Sequence, residues 1–229
     1  MSFRRALILV LCCPMLWAML WAQVATDANS HYQTEENRKS IAAGLVSPDR
    51  DKTERPQELV DSMGLKAGTT VADVGTGPGY MLPYLSRAVG ATGHVLAEDI
   101  YDDFLSAAQE RSEQQKLDNV SFIKGAESDP NLGPGSVDAI LVLDVYHHFN
   151  YPEKMLAAFR AALREGGRLF VVEYYKRPHA MNGMDAMKHI RLDEPDLVRE
   201  VEANGFHLLS EHEHIKDSQY VAVFAVKHP

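Results

Sequence analysis

The sequence predicts an α/β fold: a doubly wound, mostly parallel sheet covered by helices on both faces, with an antiparallel pair at one end. Three observations carry this. Short apolar runs alternate with stretches of helical spacing from Thr70 to Tyr174, the pattern of successive right-handed βαβ units. One run, Val137 to Leu143, is almost continuously apolar, as expected of a strand buried on both faces. The last two runs, His207 to Glu213 and Tyr220 to Val226, are joined by only a short turn and so must pair antiparallel.

The elements follow in order. Arg4 and Arg5 precede an apolar run from Ala6 to Ala22, after which Thr26, Asp27, Asn29 and Ser30 turn the chain polar. Residues 1–25 therefore read as a signal peptide or membrane anchor, cut after Ala22 or Ala25 if cleaved, and the domain is expected outside the cytoplasm, periplasmic or anchored facing outward. Cys12 and Cys13 both lie in this run, so cysteine usage does not report on the redox compartment of the domain. Residues 26–47 read as a polar linker or a loosely held helix, and residues 48–229 as the domain. Pro56 followed by Leu59, Val60 and Met63 predicts a short helix with proline in its first turn. Strands are predicted over Thr70 to Val74, His94 to Asp99 and Val120 to Lys124, with helices over Tyr80 to Val89 and Asp102 to Gln115. A helix over Pro152 to Leu163 is expected to end at Gly166-Gly167, before a strand from Arg168 to Tyr174. A last helix spans about Pro195 to Asn204.

With 229 residues, 45% of them hydrophobic, the chain can bury one sizeable core. The formal net charge of −9 repels phosphate backbones and no basic run offsets it, so nucleic acid is not expected as a partner; short insertions between the elements and no separate recognition domain point to a small-molecule substrate. Membrane contact is expected only through an uncleaved N-terminal segment.

The segment Asp73-Val74-Gly75-Thr76-Gly77-Pro78-Gly79 sits where a strand meets a helix. Glycines there allow a sharp turn and close approach of a ligand at the carboxyl edge of a parallel sheet. A dinucleotide fingerprint needs two residues between the second and third glycines, and only Pro78 intervenes. Asp73 also disfavours a pyrophosphate and favours the ammonium of an amino-acid ligand. Asp99 ends the second strand, where a carboxylate can accept both hydroxyls of a ribose. Its neighbour Glu98 is expected to face the opposite side of the strand.

Over about Arg55 to Val226 the chain resembles the class I S-adenosyl-L-methionine (SAM)-dependent methyltransferases. The loop from Asp73 to Gly79 is similar to their first motif, Ala97-Glu98-Asp99-Ile100 to their ribose-binding segment, and Leu163 to Leu169 to the entry of their fifth strand. The resemblance implies a Rossmann-like, seven-stranded mixed sheet ending in an antiparallel hairpin. It implies SAM as cofactor, with Asp73, Gly75, Thr76, Gly77, Gly79, Asp99, Ile100, Glu127 and Asp144 around it. Gly75 and Gly77 would face the methionine part, Asp99 the ribose, and Glu127 the adenine. Pro48-Asp49-Arg50-Asp51 followed by Arg55-Pro56 resembles an uncharacterised exported branch of the family.

Methyl transfer from a sulfonium is an in-line displacement that needs a base only when the nucleophile carries a tightly held proton. His147 and His148, after the fourth strand, are candidates for that base. Glu173, Tyr174 and Tyr175 end the fifth strand beside them. Met181, Met184 and Met187 recur at helical spacing and are expected in the core. His212 and His214 share a strand face, but no third ligand is evident and no metal site is expected. The expected function is methylation of a small molecule; the alternative is an exported binding protein that kept the cofactor fold without catalysis.

Overall fold

A computed structural model describes residues 24–227. The expected leader, residues 1–25, lies outside them except for its last two residues. Of these, Ala25 is buried and Val24 N–H donates to the Asn150 carbonyl at 3.4 Å.

Seven strands form one sheet in the order β3-β2-β1-β4-β5-β7-β6. They are β1 (Thr70–Val74), β2 (His94–Asp99), β3 (Val120–Lys124), β4 (Val137–Leu143), β5 (Leu163–Tyr174), β6 (Phe206–Ile215) and β7 (Gln219–Val226). β1 pairs parallel with β2 and β4, β2 with β3, and β4 with β5, whereas β7 runs antiparallel between β5 and β6. The sheet is thus the mixed, Rossmann-like one expected. Its strand order reverses between β1 and β4, where such sheets open a crevice for ligands.

The period of two along each strand divides the apolar residues between two cores. On one face Ile140 and Val142 of β4 and Leu169 and Val171 of β5 pack with Leu156 and Phe159 of α6 (Pro152–Ala162) and Leu197 and Val201 of α8 (Glu194–Ala203). On the other, Ala139, Leu141, Phe170 and Val172 pack with Leu59 and Val60 of α3 (Pro56–Met63), Leu82 and Leu85 of α4 (Leu82–Val89), and Ala108 of α5 (Asp102–Gln115). Each large side chain buried this way contributes about 1.5–3 kcal/mol.

Two elements differ from the sequence reading. Helix α6 ends at Ala162, and β5 starts directly at Leu163, pairing with Val137 across a register shift. Gly166-Gly167 therefore lie inside the strand, with Gly166 at φ 76°, rather than ending a helix. The methionine stretch does not form a core stripe: only the single turn α7 (Ala186–His189) is helical, and Met184 and Met187 are each 48% exposed.

Residues 26–47 hold a 3-10 helix (Ala28–Tyr32) and α1 (Glu35–Leu45), whose first turn is capped by Thr34 Oγ1 accepting from Asn37 N–H at 3.2 Å. A one-turn helix α2 (Arg50–Glu54) follows. Arg38 of α1 pairs with Asp103 of α5 at 2.8 Å and lies over the Tyr101 ring, 4.5 Å from its centroid. These contacts hold the N-terminal helices over the carboxyl edge of the sheet.

Candidate functional site

The chain leaves β1 through Gly75 and Gly77, at φ 71° and 54°, which place the turn in the left-handed region that glycine tolerates. Gly75 is also a packing requirement: a Cβ there would stand 2.6 Å from both γ-carbons of Val145. Gly79, expected beside the cofactor, is a close-packing position in this structure. Its α-carbon packs on Ala108 of α5, where a Cβ would come within 3.1 Å of backbone, and it does not line the cavity.

Around this loop lies a cavity of about 260 Å³. Of the residues the sequence pointed to, Asp73, Gly75, Thr76, Gly77, Asp99, Ile100, Glu127 and Asp144 line it. Asp73 Oδ2 accepts from Thr76 Oγ1 at 2.7 Å. Asp99 accepts from Gly77 N–H and Tyr101 N–H, each at 2.9 Å, one on each oxygen. Asp99 lines the cavity, where a ligand's donors can reach its carboxylate. Burial pushes the carboxyls of Asp73 and Asp99 up to about 6, and their charges reinforce the shift at Asp73.

Glu98 is the residue that sequence reasoning misplaced. Its side chain does leave β2 on the face opposite Asp99. The cavity, however, straddles the end of the strand and takes side chains from both faces. Glu98 is 2% exposed, lines the cavity, and accepts from Gly75 N–H at 3.2 Å through Oε2. Its Oε1 is buried with no hydrogen-bond partner, and burial beside Asp99 and Asp73 raises its pKa well above the usual carboxylate range. A buried acceptor left unpaired is costly, and a ligand bearing hydroxyl or ammonium donors would satisfy it.

The N-terminal segment completes the cavity with Asn29, Tyr32, Leu45 and Arg50. Tyr32 stacks on Tyr101 with centroids 6.2 Å apart and meets His148 edge-on at 4.9 Å. Arg50 reaches Asp144 at 3.5 Å, lies 4.3 Å over the Tyr80 ring and donates to the Leu45 carbonyl at 2.8 Å. Asp51 accepts from Tyr80 and Tyr84 hydroxyls at 3.0 and 2.6 Å. The Arg50-Asp51 pair in the Pro48–Asp51 segment therefore fastens the cap to the glycine loop's helix. No periodicity marks this role, since the contacts are made by polar side chains of short, irregular elements.

A second, larger cavity of about 1030 Å³ adjoins the first. Both are lined by Tyr32, Leu45, Arg50, Asp144 and His148. Asp144 sits at φ 55° and accepts from Gln219 Nε2 at 3.0 Å; burial and the nearby Glu54 charge raise its pKa. His147 opens only onto the second cavity, and His148 onto both. Glu173 at the end of β5 accepts from His147 Nδ1 at 2.6 Å. Burial drives the histidine pKa down and the glutamate pKa up. Tyr174 also lines this cavity, whereas Tyr175 packs on Tyr220 with centroids 5.1 Å apart.

Strand order, glycine turn and the paired acids at the end of β2 define a class I methyltransferase fold. Residues 72–171 match the family model described as a methyltransferase domain. The ubiquinone/menaquinone biosynthesis C-methyltransferase of Citrobacter koseri is 30% identical over 118 residues, 51% of this chain and 47% of that protein. The chain thus spans about half the length of the curated relatives it matches. A crystal structure of a SAM-dependent methyltransferase from Aquifex aeolicus aligns with a TM-score of 0.75 at 26% identity, covering 82% of this chain and 97% of that one. The [4+2]-cyclase SpnF shares the fold at a TM-score of 0.65 and 15% identity, over 77% of this chain and 82% of its own. A chain named for cyclisation on the same sheet means that the chemistry must be argued from the site. Residues 72–171 thus match a methyltransferase domain, on a fold shared with a SAM-dependent methyltransferase, which implies SAM as the cofactor. The donor set fits: buried carboxylates converge where an ammonium and ribose hydroxyls need acceptors, an arrangement that would repel a pyrophosphate.

Proposed function

We propose that the chain transfers the methyl group of SAM to a small molecule seated in the second cavity. The observation that carries this is the shared wall of Tyr32, Leu45, Arg50, Asp144 and His148, which brings a candidate acceptor site directly against the cofactor cavity. SAM supplies an activated methyl group on a sulfonium, which the acceptor displaces in line.

Asp73, Glu98 and Asp99 orient the cofactor by accepting its hydrogen-bond donors, with Ile100 and Glu127 lining the remaining edge. Tyr32, Leu45 and Arg50 cover the cavity and exclude water, so the two reactants meet in a fixed geometry. Where the acceptor carries a proton, His147 is the group placed to take it: Glu173 holds Nδ1–H, and the Nε2 lone pair, 3.2 Å from His189 Nε2 at the lining of the second cavity, becomes available when His189 gives way to the acceptor. His148 shapes the wall between the cavities. The export suggested by residues 1–25 remains part of this proposal and rests on sequence alone.

The test is transfer of label from methyl-labelled SAM to fractionated small-molecule extracts. Label should appear in a low-molecular-weight product and drop at least about tenfold in Asp99→Asn. Binding of S-adenosylhomocysteine without transfer to any fraction is the behaviour of a cofactor-fold binding protein, and would replace this reading.

A further inference from the structure

Three histidines from two distant parts of the chain converge on the second cavity: His147 and His148 after β4, and His189 at the end of α7. One ring nitrogen of each lies within 4.8 Å of the others. His147 Nε2 and His189 Nε2 are 3.2 Å apart. Two nitrogens bound at about 2.0–2.1 Å to a tetrahedral zinc ion stand about 3.3–3.4 Å apart, so this pair already spans one edge of such a site.

The hydrogen bonds behind the rings fix which nitrogen faces inward. His147 Nδ1 meets both oxygens of Glu173, at 2.8 and 2.6 Å, so Nδ1 carries the proton and Nε2 the lone pair. The Asn29 amide nitrogen donates to the His148 carbonyl at 2.9 Å, which leaves Asn29 Oδ1 as the atom 2.8 Å from His148 Nδ1. An amide oxygen can only accept, so His148 Nδ1 also carries the proton and its Nε2 is bare. A partner on the outer nitrogen that turns the other lone pair inward is the arrangement found behind metal-binding histidines.

We propose that His147, His148 and His189 bind a divalent transition-metal ion of the zinc class, with Glu173 and Asn29 orienting two of the ligands. Three imidazoles select such ions over magnesium or calcium, which prefer oxygen. With three protein ligands the ion keeps an open coordination position, and the cavity supplies both a path of entry and room for a further ligand. His148 and His189 are only partly buried, so they have space to close on the ion. Metal binding does not depend on the methyl-transfer proposal. Were both to hold, the ion would take the His147 lone pair and activate the oxygen of a hydroxylated acceptor in place of the imidazole.

The experiment is titration of the purified, metal-stripped full chain with Zn2+ against a chromophoric chelator, with Co2+ absorption as a second readout. One equivalent should bind. His189→Ala should weaken binding by at least about a hundredfold, and Glu173→Gln by about 10–100-fold. His212→Ala, on the exposed face of β6, is the control and should bind as the wild type does. Circular dichroism confirms that each variant is folded, and S-adenosylhomocysteine affinity reports separately on the first cavity. Absence of stoichiometric binding in the wild type, or unchanged binding in folded His189→Ala, overturns the proposal.

Discussion

Glu98 and Asp99 should respond to amide substitution with the same sign in cofactor affinity and opposite signs in stability. Asp99→Asn keeps one carbonyl acceptor and turns an amide N–H toward either Gly77 N–H or Tyr101 N–H, both now held at 2.9 Å. A buried donor losing its partner costs about 1–3 kcal/mol, so the unliganded variant should melt at a lower temperature. Asp99 is only 5% exposed and pins two backbone donors, so its replacement is not neutral for the fold. Glu98→Gln removes a carboxyl whose folded-state pKa is raised and whose Oε1 has no partner. The sign is set by linkage: the folded state holds this proton more tightly than the unfolded chain, so ionising it destabilises the fold as pH rises above the ordinary glutamate range. The unliganded variant should therefore be more stable than wild type at pH 8, with the difference vanishing toward pH 4. Both variants lose charge-assisted acceptors for the cofactor, each worth about 1.5–3 kcal/mol, or roughly ten- to a hundredfold in S-adenosylhomocysteine affinity. Thermal melts at two pH values and calorimetry give both quantities. Wild-type affinity in Glu98→Gln would show that this carboxylate only braces Gly75, and would refute the reasoning that its unpaired oxygen awaits a ligand.

Other outcomes are expected from the same geometry. Affinity for S-adenosylhomocysteine should fall as pH drops below about 6, approaching about a hundredfold per pH unit if both Asp73 and Asp99, raised to about 6, must ionise and about tenfold if only one must; a flat profile from pH 7 to 5 by calorimetry contradicts this. Gly75→Ala sets a Cβ 2.6 Å from Val145 at φ 71°, so it should cost about 1–3 kcal/mol in denaturant unfolding and weaken cofactor binding as Val145 shifts. Arg50→Ala breaks the ion pair with Asp144, the stacking on Tyr80 and the bond to Leu45, and should raise the S-adenosylhomocysteine dissociation constant by about tenfold through loosening of the cap, read as faster proteolysis within residues 24–55.

The sheet was legible because its signals are local and repeated. Val137 to Leu143 is apolar on both faces, the glycine turn needs positive φ, and two strands joined by one turn have only one way to pair. The cavity-lining residues proposed to hold the cofactor, on β1 and at the end of β2, follow from the same motifs. The missed parts lie where tertiary geometry overrides local pattern. Glu98 was given the correct strand face, but a cavity that wraps the strand end collects both faces. Gly79 has a spacing that suggests ligand contact, whereas its close neighbour is Ala108 on another helix. The polar residues 26–47 carry no apolar stripe, yet Asn29, Tyr32 and Leu45 cap the site through single side chains. His189 lies more than forty residues from His147, and nothing in their spacing links them.

The most direct test of the central claim, that the cavity at the ends of β1, β2 and β4 is a SAM site, is calorimetric titration of the wild-type chain with S-adenosylhomocysteine and, separately, NAD. The expected result is one S-adenosylhomocysteine per chain with a dissociation constant on the order of micromolar, about −8 kcal/mol, and no NAD binding of comparable strength. NAD as the tighter ligand, or no heat from S-adenosylhomocysteine, would contradict it.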